Sequence, residues 1–127
     1  MLSFSRATRL QSRKEFKQIF SQSDKVSYRY LVALYRVNHS NQSRLGIIIA
    51  KKLMKSAVKR NLIKRVVRES FRHYQEKIPG FDIIVLMRST QNKLSLNTID
   101  KLILRKDIDN LWQQLPLLSV INASKSL

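Results

Sequence analysis

The sequence predicts an α+β fold: a single mixed β-sheet of about four strands packed with about three helices. Three observations carry that prediction. The chain has 127 residues and 43% hydrophobic content, enough for one globular core and too little for two. Two short β-branched runs, Leu45 to Ala50 (LGIIIA) and Phe81 to Met87 (FDIIVLM), have the length and composition of strands buried on both faces. Between them lies Ala57 to Tyr74, whose apolar residues recur at helical spacing. Two apolar strands flanking a long helix make a parallel βαβ unit inside a mixed sheet. The domain is assigned to residues 1–118, and 119–127 to a flexible C-terminal tail.

The remaining elements follow in chain order. Residues 1–10 form a basic arm, and Ser12 to Glu15 spells S-x-x-E, a capping box that satisfies orphan amides at a helix start. Phe16, Ile19 and Phe20 continue at helical spacing, so a first helix is expected over 12–21. Tyr30 to Val37, rich in β-branched and aromatic residues, is a strand, and HSNQS (39–43) a polar turn. Pro79-Gly80 ends the long helical segment. Asn97-x-x-Asp100 caps a last helix whose apolar set is Ile99, Ile103, Leu104, Ile108, Leu111, Trp112 and Leu115, and Pro116 stops it. The order is therefore α, two strands, α, strand, α.

Charge identifies the class of partner. The chain carries 25 Lys or Arg against 8 Asp or Glu, a net +17, which says little about fold but points to a polyanion. The charge is concentrated. The stretch AVKRNLIKRVVRESFR (57–72) has six cations, and from Lys25 to Gln75 Glu69 is the sole acid against thirteen Lys or Arg. On a helical wheel of about 100° per residue, Val58, Leu62, Ile63, Val66, Val67 and Tyr74 share one side. Arg60, Asn61, Lys64, Arg65, Arg68 and Arg72 share the other.

A merely solvated helix face usually interleaves Glu with Lys at i,i+4, which this one does not. Lys51, Lys52, Lys55, Lys59 and Arg60 also crowd the helix N-terminus, where the macrodipole is already positive. That local repulsion becomes attraction when a phosphate arrives. The pattern therefore points to a nucleic-acid backbone.

The residues that carry this pattern resemble a known family, the bacterial ribonuclease P protein subunit. In RLGIIIAKKLMKSAVKRNLIKRVVRESFR, Arg44-Leu45-Gly46 matches an Arg-x-Gly opening a buried strand, and Lys51-Lys52 the pair that closes it. Arg60-Asn61 matches the start of an Arg-Asn-Arg motif, followed by Lys64-Arg65, Arg68-Glu69 and Phe71-Arg72. The similarity extends to RLQSRKEFKQIF and FDIIVLMR and spans residues 9–115. Two positions depart from the family pattern. Leu62 stands third in the Arg-Asn-Arg motif, removing one cation, and Met54 stands where Gly is common, so a differently shaped loop is expected.

The resemblance implies a left-handed crossover between the parallel strands, against the usual right-handed rule. It also implies partnership with a catalytic RNA that, with magnesium ions held by that RNA, removes the 5′ leader of precursor tRNA. The protein would be a subunit of an endoribonuclease, inactive alone, with no catalytic residue and no metal or other cofactor of its own. Lys51, Lys52, Lys55, Lys59, Arg60, Asn61, Lys64, Arg65, Arg68 and Arg72 would meet the RNA subunit. Phe16, Phe20, Lys17, Tyr35 and Arg36 would line the leader cleft between the first helix and the sheet, although the register puts Leu34 where the family often has its strand aromatic. Phe16 and Phe20 have two readings, as core or as a stacking surface for unpaired bases.

Other chemistries find little support. Without cysteine, disulfides and thiolate metal sites are excluded. His39 and His73 stand far apart without an acid cluster, and the scattered acids offer neither a carboxylate pair nor a Ser/His/Asp set. No stretch approaches the roughly 20 apolar residues that span a bilayer, and the start has no apolar run of signal-peptide length, so a cytoplasmic protein is expected. Two alternatives remain beside the RNA-enzyme cofactor. A ribosomal or other structural RNA-binding protein would share the basic face. A membrane-surface protein is disfavoured because the helix's apolar face is committed to the sheet. A DNA partner is not expected, since strands on both sides of the basic helix leave no helix-turn-helix.

Overall fold

A computed structural model describes residues 13–77, 80–88 and 100–115. The N-terminal arm, Ser12, Pro79, Asn97, Ile99, Pro116 and the C-terminal tail of the sequence reading lie outside the described residues. The elements are α1 (Arg13–Ser21), β1 (Asp24–Tyr28), β2 (Leu31–Val37), β3 (Arg44–Ile48), α2 (Ala57–Tyr74), β4 (Phe81–Met87) and α3 (Lys101–Gln113). The sheet order is β1-β2-β4-β3, antiparallel except for the β3–β4 pair, which α2 connects as the expected βαβ unit. No described helix is long and apolar enough to cross a membrane.

Side-chain alternation splits the sheet into two unequal faces. Leu31, Ala33, Leu45, Phe81, Ile83, Val85 and Met87 point to one side and form the main core with Ile63, Val66, Val67 and Phe71 of α2 and Leu104, Ile108, Leu111 and Trp112 of α3. Phe71 and Trp112 meet edge-on at 5.9 Å, and Trp112 Nε1–H donates to Ser70 Oγ at 2.8 Å, so the buried indole loses no hydrogen bond. On the other side, Ile84 forms a small cluster with Ile19 of α1, joined by Phe16, Leu34 and Leu86.

Four expectations need correction. The sequence pattern marks no element over Asp24–Tyr28, yet this segment is a strand; its exposed Asp24, Lys25 and Ser27 suit a sheet edge and hide the period-2 signal. Tyr30 lies in the turn after it rather than in β2. There its hydroxyl donates to buried Asp107 at 2.9 Å, and burial, then that bond, push its pKa well up. β3 is not buried on both faces, because it is the opposite edge and α1 packs over β2 and β4; Ile48 is 37% exposed. Val58 and Ile103, expected on apolar stripes, are exposed, each in the first turn of its helix before the first buried residue. Asp100 is the cap of α3, accepting from Leu102 N at 2.7 Å.

Candidate nucleic-acid interface

Helix α2 carries two parallel stripes. Its buried residues, Ile63, Val66, Val67, Ser70 and Phe71, repeat every three or four positions and fix the helix on the core. Asn61, Lys64, Arg65, Arg68, Glu69 and Arg72 repeat with the same period and line an open groove of about 590 Å³. Because the apolar stripe anchors one side, the cationic stripe must face outward along three turns. No acid stands in the first turn. Among the described residues Lys64, Arg65 and Arg72 form no ion pair, so an Arg65–Glu69 bridge is absent despite favourable i,i+4 spacing.

The loop before α2 brings further cations to its N-terminus. Leu53 N and Met54 N both donate to Ala50 O, at 3.0 and 3.2 Å, closing a tight turn that leaves Lys51 and Lys52 exposed. Ser56 then caps the helix, accepting from Lys59 N at 3.2 Å, with Lys55 and Lys59 exposed beside it. Met54 is 2% exposed and packs in the main core. Its φ is negative, since Arg29 and His39 are the only described non-glycine residues with positive φ, so the loop does not need Gly there. Leu62 is half-buried against the core, as the wheel placed it.

Arg60 differs from its neighbours. One guanidinium nitrogen donates to Met54 O at 2.8 Å and to Lys55 O at 2.9 Å, so this residue holds the loop in shape. Arg60 thus braces the lysine-bearing loop against the first turn of α2, just ahead of the groove.

The expected leader cleft is assembled only in part. Phe16 packs with Ile19 and Ile84, while Phe20, one turn on, is 50% exposed; Lys17 is exposed beside them. Core and surface readings of the aromatic pair thus divide between the two rings. Arg36 faces α1, donating to Gln18 Oε1 at 3.4 Å and lying 3.7 Å from Asp82. Tyr35, one residue earlier, points to the opposite face, edge-on to Phe81 at 5.6 Å, and does not join the others. Leu34 occupies the place on the α1 side.

Sequence reasoning missed the ionic network under this cleft. Asp82 is 1% exposed and sits directly across from Arg36 on β2 and Arg44 on β3. Arg44 grips it bidentately, at 2.9 and 2.8 Å, and reaches Glu15 of α1 with its remaining nitrogen, while Asn38 adds a bond at 3.0 Å. Burial alone would raise the Asp82 pKa; the bonds from Arg44 and Asn38 outweigh it and hold the carboxyl below its usual range. The available signal was the one acid inside FDIIVLM, but which cations would face it depends on sheet register, which periodicity does not report.

Comparison with known proteins agrees with this architecture. The family model for Ribonuclease P matches residues 4–116. The ribonuclease P protein component of Photobacterium profundum is 38% identical over 118 residues, 93% of this chain and 96% of that protein. That of Pseudoalteromonas atlantica is 45% identical over 93 residues, 73% of this chain and 78% of its own. Among solved structures, the RNase P protein of Thermotoga maritima has a TM-score of 0.73 at 35% identity, covering 85% of this chain and 97% of its own. That of Staphylococcus aureus has 0.74 at 29% identity, covering 85% and 94%. Matched in sequence over nearly its whole length and in fold over most of it, the chain belongs to the ribonuclease P protein family.

Proposed function

We propose that this protein is the cofactor of a ribonuclease P ribonucleoprotein. It holds the catalytic RNA along α2 and the 51–55 loop, grips the 5′ leader of precursor tRNA over α1 and its sheet face, and promotes endonucleolytic removal of that leader in the cytoplasm. The observation that carries this reading is the cationic groove of α2, a run of cations at helical spacing anchored from behind by a buried stripe. On the leader side, exposed Phe20 offers a ring for base stacking, and exposed Lys17 beside it offers a cation.

The bond-breaking chemistry is assigned to the RNA subunit and its magnesium ions. Supporting this, four acids of the chain are already engaged: Glu15 and Asp82 by Arg44, Asp107 by Tyr30, and Asp109 by Ser70 and Arg105. The protein's part is to lower the magnesium requirement by supplying fixed cations.

The test is reconstitution of precursor-tRNA cleavage with the cognate RNA at low magnesium. The expected result is cleavage only when both components are present. Phe20→Ala should weaken binding of leader-bearing precursor, by about fivefold or more, but not of mature tRNA. Cleavage by RNA-free protein that disappears when one carboxylate is replaced would overturn the proposal.

A further inference from the structure

The groove of α2 contains an acid that a simple phosphate cradle would exclude. Glu69 is half-buried and lies among Lys64, Arg65, Arg68 and Arg72. Arg65 at i−4 and Arg72 at i+3 are within reach of its side chain on a helix, yet among the described residues its carboxylate forms no ion pair. A carboxylate left open there repels every phosphate that enters. It is also poorly suited to a metal ion, because four cations surround it. What remains attractive is a neutral partner rich in N–H donors.

We propose that Glu69 is a specificity-determining residue that reads a base. Its two oxygens accept hydrogen bonds from nucleobase N–H groups of an unpaired nucleotide in the catalytic RNA, while the flanking cations hold that nucleotide's phosphates. A carboxylate presents two acceptors side by side, and guanine's Watson–Crick edge presents two donors side by side, N1–H and N2–H. Guanine is therefore the best-matched base. Asn61, two helical turns away in the same groove, offers a second polar reader with both donor and acceptor. The groove thus recognises RNA by one acceptor set in a field of cations, which rejects polyanions lacking a suitably placed donor.

The inference rests on the groove being the RNA-binding surface, and the experiment separates the two. Affinities of wild type, Glu69→Gln and Glu69→Ala are measured for the cognate catalytic RNA and for a structured unrelated RNA of equal length, with Lys64→Ala as a control. Removing the acid relieves repulsion, so the unrelated RNA should bind each variant a few-fold more tightly. The cognate RNA should bind them about tenfold more weakly, within the discrimination that a good bidentate base contact supplies. Kethoxal, which attacks N1 and N2 of unpaired guanine, should find one guanine shielded by wild type and exposed with Glu69→Gln. Equal tightening of both RNAs, or no change in either, would show that Glu69 merely moderates charge and would overturn the inference. Equal weakening with a lowered melting temperature would assign it a structural role and overturn it as well. If Lys64→Ala leaves cognate binding intact, the groove itself is the wrong surface and the proposed function fails first.

Discussion

On the α1 side of the sheet, Arg44 is one-third exposed and gives three hydrogen bonds to Asp82 and Glu15, with Arg36 close by. On the outer side of α2, Lys64, Arg65 and Arg72 line a groove with no ion pair among the described residues. Both regions are rich in arginine, and composition does not distinguish them. The difference lies in whether a buried acid stands opposite. Where Asp82 does, charge joins a helix to two strands and stabilises the fold; where none does, charge is left for a ligand. The lesson is that cations in a basic protein must be sorted by their partners before they are counted as binding residues.

The strongest way to break the comparison is at Asp82. Asp82→Ala leaves Arg44 and Arg36 facing each other without their shared carboxylate and should cost about 3–5 kcal/mol of stability. A melting experiment should show a drop of more than about 10 °C. The pH dependence has a definite sign. A carboxyl held below its ordinary value adds stability above the unfolded pKa of about 3.9 and loses it as pH falls through the lower folded value. Wild type should therefore lose stability below about pH 4 more steeply than Asp82→Asn. Parallel acid limbs for the two proteins would contradict the structural role given to this network.

Arg60 sharpens the comparison because it belongs to the basic helix by sequence and to the structural class by contact. Arg60→Ala removes two bonds to loop carbonyls, at 2.8 and 2.9 Å. It should cost about 1–2 kcal/mol of stability and weaken RNA binding through a displaced loop. Arg60→Lys should restore charge but not the paired bonds, so its affinity should stay nearer that of Arg60→Ala than of wild type. Full rescue by Lys, read in an RNA-binding titration, would make Arg60 an ordinary phosphate contact.

Much of this was legible in the sequence. The βαβ unit, the long amphipathic helix and the Trp112 core position follow from runs and periods that local residues fix. Three things were not legible, each for a physical reason. Strand β1 is a polar edge, so its pairing partner rather than its composition makes it a strand. Tyr35 and Leu34 are adjacent in sequence but lie on opposite faces, and only the register shows which of them meets α1. Asp82, Asp107 and Ser70 are buried polar residues whose partners lie 38, 77 and 39 positions away, beyond any local pattern.

The most direct measurement is the salt dependence of catalytic-RNA affinity for wild type and Arg65→Ala, taken beside their melting curves. Arg65 is exposed, lines the groove and has no ion pair among the described residues. The account predicts a steep log–log slope that falls by about one unit in the variant, with stability changed by no more than about 0.5 kcal/mol. An unchanged slope accompanied by a lower melting temperature would contradict it, and would place the outward charge of α2 in the structural class with Arg44.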